Sequence, residues 1–415
     1  MATWPKVKLA DSVNLLAGFP FKSQQFTDKP DNVPLVKGEN VSQGCILWDI
    51  SKRWPASDWD KMEKFHLLPG DVVIAMDRPW IPAGLKWSFI RAGDPKSLLV
   101  QRCARLRSSN ERLDQNFLRF VIGGPGFESY VKPITTGVNV PHISGQQILD
   151  FEFTLPPLPV QRRIAGILSA YDELMENSQR RIRLLEAMAR ALYREWFVHF
   201  RFPGHEKHPC VASPLGDIPQ GWEVKTVADS FEISGGGTPS RKEEKYWDGG
   251  TIQWFSPSNL TGAGTMFMDD STDHITELGL AKSSARLFPA RSVMLTSRAT
   301  IGAIAINTHE ACTNQGFITC LPNERVPLYF LFHWLTENVP TFERMASGAT
   351  FKEISRGVFK TIEFLQPPAE LVRRFEDAAA PMAEQALALQ RQIQNLRRTR
   401  DLLLPRLLSG QVELL

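Results

Sequence analysis

The chain has 415 residues, of which 43% are hydrophobic and 22% charged, and its formal net charge is +3. This length leaves room for two or three domain cores, and the composition is typical of a folded protein. A balanced charge neither indicates nor excludes a nucleic-acid partner, because acidic surface elsewhere can offset a basic face. The start of the chain does not resemble a signal peptide, and no apolar run approaches the ~20 residues that span a bilayer. With five scattered cysteines, we expect a cytoplasmic protein with no membrane association and no disulfide framework.

Residues 1–155 are predicted to form a first α+β domain. This segment is rich in Gly, Pro, Asn and aromatic residues, and it contains short apolar runs of strand type, such as 71–75. Pro156-Pro157 then interrupt regular structure. Residues 156–202 follow as a heptad helix, because residues 160–200 contain no proline and a single glycine. Its apolar seam is predicted to include Leu168, Met175, Ile182, Leu185 and Leu192.

The second half of the chain follows the same plan. Residues 203–220 contain four prolines and are predicted to be an exposed linker. Residues 221–366 are predicted to form a second α+β domain, and residues 367–415 a second heptad helix. We expect Pro405 to end or bend this helix at Leu404, because proline cannot donate the helical hydrogen bond. The seam of the second helix is predicted to include Ile393, Leu396 and Leu403.

The two halves are related by an internal repeat. Gly137 aligns without gaps with Gly348, 211 residues later, and at the same offset Ile143-Ser144 aligns with Ile354-Ser355. Both heptad helices keep one register at that offset. The sequence therefore predicts two similar α+β domains separated by two long helices, packed as an antiparallel coiled coil with an internal pseudo-twofold axis.

This pattern resembles the specificity subunit of type I restriction–modification systems. The resemblance rests on 136–144, on Leu155-Pro156-Pro157-Leu158 with Gln161-Arg162-Arg163-Ile164, and on the ending 404–410. It implies a non-catalytic subunit whose two target-recognition domains each read one half of a bipartite double-stranded DNA site. The implied partners are two modification subunits, which are adenine-N6 methyltransferases, and restriction subunits. S-adenosylmethionine, ATP and Mg would be bound by those partners. One departure is Leu371-Val372, which stands where the first half has Val160-Gln161.

The chain itself offers no catalytic, cofactor-binding or metal-binding motif. The proline pairs lack the flanking aromatic residue with which adenine methyltransferases hold a flipped base. The glycine run 235–237 has no lysine of a phosphate loop and is interpreted as a turn. Asp217 with Glu223 and Lys225 imitates a nuclease motif, but the first half has no carboxylates at that place. We therefore expect the chain not to be an enzyme and to bind no cofactor.

Candidate DNA contacts are loops of similar composition at similar places in both halves. Arginine suits guanine and phosphate, asparagine suits adenine, and threonine and lysine suit phosphate. Arg78 and Arg298 are favoured because each follows an apolar strand, and we match them to each other. The remaining candidates are Asn40, Thr136 and Asn139 in the first half, and Arg241, Asn259, Thr300, Thr350 and Lys352 in the second.

Two alternatives remain open at this stage. The chain could be a coiled-coil scaffold that binds only protein, because its net charge does not require a DNA partner. A nuclease is less favoured, because the motifs discussed above are missing. Salt-dependent binding of DNA in the presence of the partners would distinguish the first interpretation from the scaffold.

Overall fold

The computed structural model describes residues 4–137, 140–348 and 352–412. It divides into two compact units. The first consists of Met1–Asn177 and Ile393–Leu415, and the second of Ser178–Gln392. No helix in these described ranges is long and apolar enough to cross a membrane.

The first unit is an α+β domain followed by part of a long helix. Its strands are β1 (Lys6–Lys8), β2 (Val13–Ala17), β3 (Val33–Val36), β4 (Arg53–Trp54), β5 (His66–Leu67), β6 (Val72–Ala75), β7 (Trp80–Ile81), β8 (Gly84–Leu85), β9 (Trp87–Phe89), β10 (Ser97–Leu99), β11 (Cys103–Ser108) and β12 (Glu152–Thr154). Its helices are α1 (Gln115–Ile122), α2 (Pro125–Ile134), α3 (Gly145–Leu149) and the first part of α4 (Leu158–Tyr193).

The second unit repeats this architecture. Its strands are β13 (Cys210–Ser213), β14 (Gly216–Pro219), β15 (Glu223–Thr226), β16 (Glu232–Gly235), β17 (Ile252–Phe255), β18 (Phe267–Met268), β19 (Asp273–Ile275), β20 (Val293–Thr296), β21 (Ile304–Asn307), β22 (Ala311–Thr313), β23 (Phe317–Leu321) and β24 (Glu363–Gln366). Its helices are α5 (Val227–Ser230), α6 (Pro257–Ala263), α7 (Glu277–Ala281), α8 (Leu328–Glu337), α9 (Val339–Met345), α10 (Arg356–Lys360) and the first part of α11 (Ala369–Leu408).

The two units share their central strand pairings and differ at the sheet edges. In the first unit one sheet has the order β2-β11-β6-β9, and a second sheet has the order β4-β3-β10-β5. The second unit has the orders β16-β23-β20-β21-β18 and β19-β17-β22. In both units the central pair is antiparallel, β6 with β11 and β20 with β23, whereas β3 with β10 and β17 with β22 are parallel. The predicted repeat of two α+β domains is confirmed.

The long helices pack on each other within each unit. In the first unit, Leu168 of α4 shares one apolar core with Leu404 and Leu407 near the end of α11. In the second unit, Tyr193 at the end of α4 contacts Phe375 near the start of α11, with ring centroids 5.6 Å apart. The end of each helix therefore meets the start of the other, which confirms the predicted antiparallel pairing.

The predicted seam residues are shielded from solvent. Leu168, Ile182 and Ile393 are buried, and the others are half-buried: Met175, Leu185, Leu192, Leu396 and Leu403. Arg400, a charged residue at a seam position, is accommodated by an ion pair with Asp172 at 2.7 Å. Because a shielded charge without a partner is costly, this pair explains how the stripe tolerates an arginine.

The structure modifies two expectations about the chain connections. The helix α11 continues through Pro405 to Leu408, because Leu404 and Leu407 are buried in the core of the first unit and offset the lost hydrogen bond. The linker 203–220 is not simply an exposed connector. It contains the hairpin of β13 and β14, and it buries Ile218 in the core of the second unit.

We predict that Leu387→Ala destabilises the second unit, whereas Leu184→Ala does not. Leu387 on α11 is 3% exposed within the apolar core, and Leu184 on α4 is 57% exposed. Removing a buried leucine side chain costs about 2–5 kcal/mol, and a surface truncation usually changes stability by less than about 0.5 kcal/mol. Urea unfolding followed by tryptophan fluorescence measures the difference. Equal midpoints for the two variants would contradict the packing of α11 described above.

Candidate nucleic-acid interface

Three chain segments meet at one end of the central strands in the first unit. They are 76–78 after β6, 101–102 before β11, and the loop closed by Thr136 and His142. The amide of Met76 donates to the carbonyl of Arg102 at 2.8 Å, and the amide of Ile143 donates to the carbonyl of Met76 at 2.9 Å. These bonds hold the three segments in one surface, which we call the loop cluster.

The second unit builds the same loop cluster with the same hydrogen bonds. The amide of Ser297 donates to the carbonyl of Gly316 at 2.8 Å, and the amide of Ile354 donates to the carbonyl of Ser297 at 2.9 Å. Its segments are 297–299 after β20, 315–316 before β23, and the loop closed by Ser347 and Glu353. Each loop is closed by a reciprocal pair of backbone hydrogen bonds between its end residues.

This frame corrects the matching of Arg78 with Arg298. Met76 and Ser297 make the same bonds, so Asp77 corresponds to Arg298 and Arg78 corresponds to Ala299. The backbone agrees, because Arg78 and Ala299 both have left-handed φ angles, of 45° and 60°. Comparison of composition could not detect this one-residue shift, since both arginines follow an apolar strand.

Asp77 organises the charges of the first loop cluster. One carboxylate oxygen lies 2.8 Å from Nη1 of Arg102, and the other lies 2.6 Å from Nδ1 of His142. Arg78 is exposed, and within the described residues no hydrogen bond or ion pair holds its guanidinium. A left-handed φ at a residue other than glycine is uncommon and is often retained for function. Arg78 is therefore available to an external acceptor.

Arg298 lines a depression of about 440 Å³ in the second loop cluster. Gln315, Glu353 and Arg356 share this lining. Arg356 lies against Gly235, and at the next residue, Gly236, a Cβ atom would come 2.1 Å from the carbonyl oxygen of Asn314. The glycine run is thus the close-packed end of β16 and the chain that follows it, and the surface beside it carries two guanidinium groups.

Sequence reasoning missed two polar residues of the loop clusters and a buried lysine next to the first cluster. Gln101 and Gln315 occupy the same place before β11 and β23, and both are exposed. Lys86 is buried beside Arg78; its burial lowers the pKa of its ammonium group, and Arg78 acts in the same direction. The sequence could have indicated Lys86, because it is a single lysine between the short strands β8 and β9 in a largely apolar segment.

Asn40, which the sequence predicted as a DNA contact, is a buried residue of the first unit. The side chain is 1% exposed, accepts from the amide of Lys37 at 2.8 Å and donates to the carbonyl of Leu35 at 3.0 Å. Asn259 accepts from the amide of Ser256 at 2.7 Å in the same way. The two asparagines therefore make the same contact to the backbone, Asn40 in a buried turn and Asn259 at the start of α6. The burial of Asn40 argues against a contact with DNA.

The remaining candidates lie at several places. Thr136 and Lys352 are exposed at the ends of the two loops. Thr300 is exposed but lines a separate cleft of about 680 Å³. Arg241 stacks on Trp247, with its guanidinium 3.6 Å from the ring centroid, and pairs with Asp273. Asn139 and Thr350 lie outside the described residues.

We predict that Asn40→Ala lowers stability without a selective effect on either half of a DNA target. The substitution leaves the amide of Lys37 without its partner, which typically costs about 1–3 kcal/mol, whereas the carbonyl of Leu35 still accepts from the hydroxyl of Ser51 at 2.8 Å. Thermal unfolding measures the loss, and target discrimination is compared at a temperature where the variant is folded. Asn259→Ala is the matched variant in the second unit. A folded Asn40→Ala protein with altered discrimination would show that the side chain contacts DNA after all.

Comparisons with known proteins agree with this repeated architecture. The sequence matches the family described as "Type I restriction modification DNA specificity domain" over residues 1–187 and 219–371. It is similar to the type I restriction enzyme HindI specificity subunit of Haemophilus influenzae, with 22% identity over 99% of this chain and 100% of that protein. The MjaIX specificity subunit of Methanocaldococcus jannaschii is 36% identical over 159 residues, a match that spans 38% of this chain and only 36% of that protein.

The fold also has a counterpart among solved structures. The S subunit of the type I restriction–modification system from M. genitalium has a TM-score of 0.62 at 15% sequence identity, over 100% of this chain and 97% of that one. At this level of identity the likeness concerns the fold alone. The family match, by contrast, covers well over half of the sequence, including both globular domains. The chain belongs to the type I restriction modification DNA specificity domain family.

Proposed function

We propose that the chain is the specificity subunit of a type I restriction–modification complex. Each domain reads one half-site of a bipartite double-stranded DNA target, and the chain docks two modification methyltransferase subunits and the restriction subunits. The observation that carries this proposal is the loop cluster, which is built twice on one backbone frame with different exposed side chains. Reading two different half-sites requires such an arrangement, because base contacts depend on side chains rather than on the frame.

The exposed chemistry of the loop clusters suits DNA. Guanidinium groups can form paired hydrogen bonds to a guanine edge or to phosphate oxygens, and glutamine amides can do so to adenine. The first cluster exposes Arg78, Arg102 and Gln101, and the second exposes Gln315 beside the half-buried Arg298. The protein is close to neutral overall, so DNA binding depends on this local concentration of donors.

In this proposal the chain contributes binding and position, and its partners perform the chemistry. The modification subunits bind S-adenosylmethionine and methylate adenine at N6, and the restriction subunits use ATP and Mg. The helices α4 and α11 carry many arginines on their exposed faces, which suit acidic partner surfaces or phosphates.

We predict that the isolated chain has no methyltransferase, nuclease or ATPase activity. With the modification subunits present, it should direct S-adenosylmethionine-dependent methylation to one bipartite sequence. Transfer of labelled methyl groups to DNA, followed by mapping of N6-methyladenine, measures both statements. Turnover by the homogeneous chain alone would contradict the assignment. Methylation that is independent of this chain, or an assembled complex without salt-dependent DNA binding, would favour a protein-binding scaffold instead.

We predict that Arg78→Ala weakens recognition of one half-site and leaves the other unchanged. The second domain has Ala299 at the corresponding position, so it reads its half-site without this arginine. Loss of a paired base contact typically reduces discrimination by about 1–3 kcal/mol. Competition binding with duplexes altered in one half-site measures the effect on the assembled complex.

Arg112→Ala is the control for Arg78→Ala. Arg112 is exposed and lies beyond the other end of β11, away from the loop cluster. We expect the Arg112→Ala complex to discriminate between half-sites as the parental complex does. If the Arg78→Ala complex also does so, Arg78 does not contact the DNA bases.

A further inference from the structure

We propose that Arg102 of the first domain and Arg298 of the second are functional equivalents, each placing a guanidinium group at the same point of the loop cluster to bind its half-site. This inference rests on the proposed function. Aligning the two halves of the sequence does not pair these two residues, because they lie next to different strands of their domains.

The backbone hydrogen bonds show that the arginine stands at a different position of the loop cluster in each domain. The residue before β11 is Arg102, and the corresponding residue before β23 is Gly316; both carbonyls accept the bond from Met76 or Ser297. The residue that follows the donor, Met76 or Ser297, is Asp77 in the first domain and Arg298 in the second. A further pair of bonds fixes this register, since the amides of Val100 and Asn314 donate to the carbonyls of Val36 and Phe255 at 2.9 and 3.0 Å.

The two positions lie next to each other in each domain. In the first, Nη1 of Arg102 lies 2.8 Å from the carboxylate of Asp77. In the second, Nε of Arg298 lies 3.1 Å from the point where a Cβ of Gly316 would stand. Each domain thus has one guanidinium at this contact, supplied by the strand β11 in one case and by the strand β20 in the other. The glycine leaves the room that Arg298 occupies.

The fold does not require this ion pair. The second domain keeps the hydrogen bond from Ser297 to Gly316 without a carboxylate at the position of Asp77. Its turn differs locally, because Gly316 does not share the left-handed φ of Arg102 and its amide donates to Oδ1 of Asn314 at 2.8 Å. Arg102 also has a φ angle of 67°, a region that disfavours residues with a side chain. An arginine there costs backbone strain and adds no hydrogen bond to the frame, which points to a role outside the fold.

The chemistry of Arg102 leaves it able to bind a second acceptor. Its side chain is 67% exposed, whereas Asp77 is 19% exposed. Asp77 engages Nη1, and the other N–H groups of Arg102 have no partner among the described residues. Asp77 therefore orients the guanidinium while one edge stays available to a guanine edge or a phosphate oxygen. The neighbouring glutamines Gln101 and Gln315 place a side-chain amide at the same position in both domains, although Oε1 of Gln315 accepts from the hydroxyl of Thr238 at 2.7 Å.

The experiment uses the complex with its modification subunits and the duplex identified by N6-methyladenine mapping. Duplexes with either half-site scrambled serve as competitors. We expect Arg102→Ala to reduce affinity for the first half-site about 10- to 100-fold, and Arg298→Ala to do so for the second. Arg112→Ala and Arg325→Ala, exposed and beyond the other ends of β11 and β23, are the controls. A base contact lowers affinity for the intact half-site only, whereas a phosphate contact lowers affinity for intact and scrambled duplexes alike.

A transplanted arrangement tests the equivalence itself. The triple variant D77R/R102G/H142E copies Arg298, Gly316 and Glu353 into the first domain, and R102G alone is its reference. We expect the triple variant to bind the first half-site more tightly than R102G does, because the guanidinium is restored from the other strand. Thermal unfolding and assembly with the modification subunits confirm that each variant is folded.

Two results would overturn the proposal. One is parental affinity in folded Arg102→Ala and Arg298→Ala complexes, and the other is a folded triple variant that binds no better than R102G. Failure of the proposed function is distinguishable from both, because the parental complex would then not prefer its mapped duplex over the doubly scrambled one.

Discussion

Burial of the apolar stripes of the two long helices is the interaction on which each domain depends. Neither domain closes its core with its own strands and short helices alone. In the first unit Ile164 and Leu168 of α4 and Leu407 of α11 lie in the same core as α1 and the central sheet. In the second unit Phe375 and Leu387 of α11 lie in the core with α8. Because a buried leucine or phenylalanine contributes about 1.5–3 kcal/mol, the domains and the helices are expected to fold together rather than separately.

Polar groups at the junction between helix and domain are satisfied differently in the two units. Gln161 of α4 accepts from the amide of Asp114 at 2.8 Å, just before α1. The second half has Val372 at that place, and Glu376 one turn later accepts from the amides of Tyr329 and Phe330 at the start of α8. Burial raises the pKa of Glu376. The departure at Leu371-Val372 thus changes which residue satisfies the helix start, and an equivalent contact is kept.

In the loop clusters, backbone hydrogen bonds hold the segments together, and different residues provide the exposed side chains. Backbone hydrogen bonds fix the three segments in both units, so exposed side chains can change without unfolding the turn. Asp77, Arg102 and His142 in one domain correspond to Arg298, Gly316 and Glu353 in the other. Such freedom suits a protein whose two domains recognise different sequences, because specificity resides in side chains and affinity in contacts to phosphate.

The large elements could be predicted from the sequence because they repeat and are periodic. The offset of 211 residues and the shared heptad register determine two similar domains and two helices with one buried stripe each. The seam residues Leu168, Ile182 and Ile393 are buried as their spacing requires. A heptad stripe is a local property, since residues three and four apart always share a face of a helix.

The site was predicted only in part, because contacts between distant segments decide it. Composition identified the strand ends that carry Arg78 and Arg298, but only the hydrogen bonds across the sheet showed that they are one residue out of register. Composition also selected Asn40, whose amide is consumed by a buried turn, and it overlooked Gln101 and Gln315. The sequence by itself determined the repeat, the domain class and the helices; the tertiary structure decided which polar side chains reach solvent, because backbone partners far along the chain compete for them.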